Sequence, residues 1–164
     1  SLREFDDPKV CFIVAPHKVD SITTQKTISS FSEPVNRYTQ SEFQSDRRVL
    51  ILDTVGLLST VYRYADLAFI GGGFKTGLHN VPEAAVYGIP VLIGPNYSQF
   101  PEVVQLVKEG GVITIDQSSE LDIYLQTLAK QPRALQSQGK ANRKFIEQNK
   151  GASEKVYKDI SKFL

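Results

Sequence analysis

Apolar residues in this chain fall into short continuous runs, separated by segments of helical period. Val10-Cys11-Phe12-Ile13-Val14-Ala15, Val49-Leu50-Ile51-Leu52, Leu67-Ala68-Phe69-Ile70, Val91-Leu92-Ile93 and Val112-Ile113-Thr114-Ile115 contain almost no polar residue. Such runs mark strands buried on both faces of a parallel sheet. A shorter strand is expected over 36–40. Between the runs, Leu57, Leu58, Val61, Tyr62 and Ala65 recur at helical spacing, as do Phe100, Val103, Val104 and Val107. The polar stretch 18–32 predicts a weak helix ended by Pro34, because Ser and Thr compete with the helical backbone. A short helix over 81–87 stops at Gly88-Ile89-Pro90. From Ser118 onward the chain reads as helical throughout, with one stripe on Leu121, Tyr124, Leu125 and Leu128. A second helix is opened by Pro132 and a third is capped by Ser153. Strands alternating with helices define an α/β class: a Rossmann-like parallel sheet with helices on both faces and a helical C-terminus, in a single domain over 1–164.

In such sheets ligands bind beyond the carboxyl ends of the strands. Four turns are expected there: Pro16-His17-Lys18, 53–57, 71–80 and Gly94-Pro95-Asn96. The third is the most informative. Gly71-Gly72-Gly73-Phe74-Lys75-Thr76-Gly77-Leu78-His79-Asn80 lies between a strand and a helix, where glycines let the backbone approach a ligand. A helix N-terminus beyond it suits a phosphate. Asn80 and Glu83 are spaced as an N-cap and its N3 partner. A capped helix after a tight turn explains the same residues without a ligand, and the spacing is not the GxGxxG of a dinucleotide site. All four turns lining one crevice would favour the binding reading.

Composition removes several alternatives. With 164 residues, 19 basic and 18 acidic, the net charge is +1, so no general electrostatic attraction to nucleic acid is expected. The single cysteine, Cys11, excludes an internal disulfide framework and reads as a packed strand thiol. No apolar run approaches the length of a membrane helix. One Cys and two distant His residues give no zinc pattern, and no metal is expected. No nucleophile elbow is present. Asp53 and Asp66 read as caps rather than catalysts. The chain opens Ser1-Leu2-Arg3 and holds no methionine, which points to a piece excised from a longer protein.

Tyr64-Ala65-Asp66-Leu67-Ala68-Phe69-Ile70-Gly71-Gly72-Gly73, then His79-Asn80, Glu83-Ala84-Ala85 and Gly88-Ile89-Pro90-Val91-Leu92-Ile93-Gly94-Pro95, resemble the C-terminal half of the 3-deoxy-D-manno-octulosonic acid (Kdo) transferases. Val14-Ala15-Pro16-His17 and Asp53-Thr54-Val55-Gly56 supply two upstream motifs. The resemblance covers about residues 10–160. It implies the C-terminal half of a GT-B fold and a bacterial glycosyltransferase that moves Kdo from CMP-Kdo onto lipid A in lipopolysaccharide biosynthesis. The donor residues it implies are Pro16 and His17, then Val55, Gly56 and Leu57, then Asn80, Val81, Pro82 and Glu83. Gly72 and Gly73 would let the backbone approach the donor, and His79 would meet its phosphate or sugar carboxylate. His17 stands where many members have Arg, and Leu57 where many have Glu. An Arg is a permanent phosphate fork, whereas His is charged for only part of the time near neutral pH.

The resemblance places no catalytic residue in this chain, because the family's acceptor half and its general base precede it. CMP-Kdo would be the donor and lipid A the acceptor, reached through the missing half. The full-length protein would be associated with the cytoplasmic face of the bacterial inner membrane, with this piece itself soluble. Two other readings stay open: another GT-B glycosyltransferase or a UDP-sugar epimerase, and a non-enzymatic α/β interaction module.

Overall fold

The structure is a computed structural model that describes residues 7–75 and 77–163. Ser1-Leu2-Arg3 and Thr76 of the glycine loop lie outside the described residues. The elements, in order, are β1 (Phe12–Val14), α1 (Ser21–Ile28), β2 (Asn36–Arg37), β3 (Val49–Ile51), α2 (Leu58–Val61), a 3₁₀ turn (Tyr62–Tyr64), β4 (Ala68–Ile70), α3 (Pro82–Ala85), β5 (Val91–Ile93), α4 (Pro101–Lys108), β6 (Val112–Thr114), α5 (Ser118–Lys130), α6 (Gln136–Gln148) and α7 (Ala152–Ile160). Parallel strands flanked by helices bear out the α/β class, and the C-terminus is helical.

The strands pair as two parallel three-stranded sheets, β1-β3-β2 and β4-β5-β6, where one sheet was expected. Pairing follows proximity along the chain: the strands before α2 pair among themselves, and so do those after it. The chain divides accordingly into two compact units, 1–65 with 115–134, and 66–114 with 135–164.

In the first unit β3 is the central strand. Val49 and Ile51 are fully buried, Phe12 packs beside them, and β1 runs in register with β3, Val14 opposite Ile51. β1 is an outer strand, and this overturns two expectations. Ile13 is 43% exposed, so the run is not buried on both faces, and Cys11 is an exposed thiol just before the strand. A lone flank leaves one side of an outer strand uncovered, which periodicity cannot reveal. Helix α1 forms despite its Ser and Thr content because Asp20 caps it, accepting from Thr23 N at 2.8 Å.

In the second unit β5 is central, and Val91, Leu92 and Ile93 are all fully buried. Burying each such side chain contributes about 1.5–3 kcal/mol. Helix α4 buries Val103 and Leu106 rather than the full stripe on Val103, Val104 and Val107. Helix α6 starts at Gln136, after a turn that contains Pro132, and α7 has Gly151 rather than Ser153 at its cap position.

Helix α6 is seated on the chain leading into β5. Asn142, fully buried, donates through Nδ2 to Ile89 O at 2.7 Å and to Gly111 O at 2.8 Å. One turn earlier, a Cβ on Gly139 would collide with the Gly88 carbonyl oxygen. Gly to Ala inside a helix ordinarily stabilises by up to about 1 kcal/mol. Here the sign should reverse, because overpacking costs about 1–3 kcal/mol. Gly139→Ala is expected to lower the denaturant midpoint; an unchanged or raised midpoint would show that α6 does not press on Gly88.

Candidate functional site

The expected donor residues lie at the carboxyl ends of the strands, in two groups. Pro16 and His17 follow β1 and Val55, Gly56 and Leu57 follow β3, all in the first unit. Gly72, Gly73, His79, Asn80, Val81, Pro82 and Glu83 follow β4, in the second.

In the first unit the β1–β3 ladder runs on past the strands, with Leu52 N donating to Val14 O at 2.9 Å. Pro16 and His17 therefore emerge beside the start of the 53–57 turn. His17 is exposed and Pro16 half-buried. Val55 is 80% exposed. Gly56 sits at φ +87°, the left-handed region open to glycine. The helix expected after it is one turn, Leu58–Val61, with Leu57 at its cap and no capping side chain. A dipole of that length is small.

Asp53, read from the sequence as a cap, caps nothing. Its Oδ1 accepts from Thr39 N at 3.0 Å, and its Oδ2 accepts from Thr39 Oγ1 at 2.6 Å and Arg37 Nε at 2.8 Å. Burial pushes the Asp53 carboxyl up, but the Thr39 hydroxyl and N–H and the Arg37 guanidinium outweigh it and hold the carboxyl below its usual range. Asp53, Thr39 and Arg37 were missed in the sequence because they meet across sequence gaps of 14 and 16 residues.

In the second unit the glycine loop folds on itself. Gly72 has φ +91°, and a Cβ there would strike Gly77 O. A Cβ on Gly73 would lie 2.8 Å from Gly94 N, and one on Gly94 would lie 2.5 Å from Gly73 C. The two turns are stitched together by Asn96 N on Gly73 O at 2.9 Å and Asn96 Nδ2 on Lys75 O at 3.3 Å. Packing thus accounts for Gly72 and Gly73, and their expected approach to a donor would be a second role. His79 is exposed and donates its N–H to Gly71 O at 3.3 Å, closing the loop's base.

The expected capping box is not formed. Helix α3 begins at Pro82 with Val81 at the cap position, and Val81 has no side-chain oxygen to offer. Asn80 Nδ2 donates instead to Glu83 Oε1 at 2.8 Å. That bond orients two exposed polar groups beside the loop, while the fully buried Val81 anchors the segment. The pair presents amide and carboxylate edges, the complement of a ribose or a base. Among the described residues no group of three or more His, Cys, Asp and Glu side chains stands close enough to hold a metal ion. No helix of the described residues is long and apolar enough to cross a membrane.

No family model matches the chain. Its sequence is similar to a 3-deoxy-D-manno-octulosonic acid transferase of Haemophilus influenzae, 26% identical over 133 residues, 79% of this chain and 31% of that protein. It is 28% identical over 153 residues to a probable mitochondrial one of Arabidopsis thaliana, covering 89% and 34%. It is 31% identical over 119 residues to one of Bordetella pertussis, covering 71% and 28%. The chain spans about a third of the length of these relatives. A crystal structure of the C-terminal CMP-Kdo binding domain of WaaA from Acinetobacter baumannii shares the fold, with a TM-score of 0.73 at 24% identity, over 85% of this chain and 75% of that one.

Parallel strands flanked by helices, matched over most of the chain to that structure, give this chain the fold of a GT-B C-terminal domain. Within that class the sequence relatives are Kdo transferases. This chain is similar to the C-terminal domain of a Kdo transferase in sequence and in fold, as the motifs implied.

Two outcomes test the geometry. Gly73→Ala should cost about 1–3 kcal/mol by forcing Gly94 away, seen in denaturant unfolding; no loss would contradict the close approach. The Asp53 carboxyl is lowered in the folded state, so its contribution is complete above the ordinary value of about 3.9 and is lost as pH falls through the lowered value. Asp53→Asn should therefore be less stable by about 1–3 kcal/mol at neutral pH. The gap to the unaltered chain should close in acid, and a gap that widens there would contradict the assignment.

Proposed function

We propose that this chain is the donor-binding domain of a Kdo transferase, and that it holds CMP-Kdo with the turns at the carboxyl ends of its strands. The observation that carries this reading is the sequence similarity to Kdo transferases, which extends over 71–89% of the chain and includes the glycine loop and the Asn80–Glu83 segment. The fold shared with a CMP-Kdo binding domain supports it.

On this reading Asn80 and Glu83 hold the ribose and cytosine, with Val81 and Pro82 fixing their backbone. The loop at Gly72 and Gly73 and the side chain of His79 lie against the donor. Pro16, His17, Val55, Gly56 and Leu57 form the second contact group, with the Gly56 N–H directed to phosphate. The departing CMP carries its charge into hydrogen bonds from these groups, which need no reorganisation as the bond to Kdo breaks. A general base in the remainder of the whole protein deprotonates a lipid A hydroxyl, whose oxygen attacks the anomeric carbon from the face opposite CMP and inverts it. That remainder supplies the acceptor site and the association with the cytoplasmic face of the bacterial inner membrane. No catalytic side chain is assigned within this chain, which on its own should bind donor and transfer nothing.

Calorimetric titration with CMP, with UMP and ADP as comparisons, tests the reading. CMP should bind selectively, and Asn80→Ala or Glu83→Ala should weaken it about tenfold, the loss of one to two hydrogen bonds. A preference for UMP would move the chain to a UDP-sugar enzyme, and a preference for ADP to a different GT-B glycosyltransferase. Absence of all binding would favour an interaction module.

A further inference from the structure

We propose that Arg37 is an anion-binding residue of the donor site, held in place by Asp53 and directed at the nucleotide phosphate. The proposal rests on the donor-domain reading above. Arg37 ends β2 opposite Ile51 of β3, and Tyr38 N continues the ladder by donating to Ile51 O at 3.0 Å. Its guanidinium is thereby brought to Asp53, two residues past β3 and two before Val55.

The anchoring is one-sided. Arg37 Nε and Nη2 both reach Asp53 Oδ2, at 2.8 and 2.7 Å. Asp53 is only 2% exposed at its side chain, and both its oxygens are occupied by Arg37 and Thr39, so it has nothing left for a ligand. Arg37 is 35% exposed, and its other guanidinium N–H groups have no partner among the described residues. A guanidinium carries five donors in a rigid plane, so fixing one edge fixes the direction of the rest. The carboxylate offsets part of the positive charge. What the arrangement offers is therefore oriented donors more than net attraction, and a side chain already immobilised loses little entropy on binding.

Two ligands separate a phosphate contact from a structural role: CMP, and cytidine, which lacks the phosphate. Arg37→Ala should weaken CMP about tenfold or more and leave cytidine unchanged, and Arg37→Lys should recover part of the loss. Equal weakening of both ligands would overturn the proposal, since a collapsed turn would do that. CMP affinity untouched in Arg37→Ala would overturn it as well, leaving the donor reading intact. If the unaltered chain binds neither ligand, the donor reading itself fails and this proposal falls with it. Should Arg37→Ala not fold, the Arg37 Nε–H resonance of the unaltered chain serves instead. It should shift on adding CMP and stay still with cytidine; equal shifts, or none, would overturn the assignment.

Discussion

Gly73 and Gly94 meet backbone to backbone, with no room for a side chain on either. That contact fixes the ends of two neighbouring strands against each other. β4 and β5 pair in register from Ala68 opposite Val91 to Ile70 opposite Ile93, and the chain leaves both in turns that touch at once. Asn96 then closes the junction with its N–H and its amide. The described part of the glycine loop is consequently pinned at several points. Gly72 bends it at positive φ, Gly77 receives the bend, and His79 returns it to Gly71. A loop so constrained delivers Asn80 and Glu83 to one place, as a site needing little reorganisation requires.

The first unit solves the same problem with charge in place of close packing. Its turn over 53–57 is exposed at Val55 and Gly56 and gains no rigidity from contact there. Rigidity comes from underneath, where one buried carboxylate takes two donors from Thr39 and two from Arg37. Removing such a partner leaves buried polar groups unpaired, which is why a single side chain can govern a whole turn. Backbone stitching and a buried ion pair are different means by which each unit orders the turns at the carboxyl ends of its own strands.

Features set by local sequence were legible. The β5 run reads correctly because every one of its side chains is buried, so no periodicity is needed. The glycine loop and the Gly88-Ile89-Pro90 stop were legible because glycine frees the backbone for turns and proline fixes it. Features set by partners distant in sequence were not. Cys11 and Ile13 look like core residues until β1 proves to be an outer strand. Asn80 and Glu83 have capping-box spacing, yet the helix starts at Pro82 and the two side chains bond to each other. Arg37 lies in an unremarkable polar stretch, and only the β2–β3 pairing carries it to Asp53. The Asp20 cap went unread, because the poor helix propensity around it obscured an Asp three residues before Thr23.

The central claim is that nucleotide binds at these strand ends. Two-dimensional ¹H–¹⁵N NMR of the chain during addition of CMP tests it most directly. Amide shifts should concentrate on His17, on Val55 to Leu57 and on Gly72 to Glu83, while the fully buried amides of β5 and the surface of α1 stay still. Shifts gathered on α1, α5 or α7, with the glycine loop silent, would contradict it.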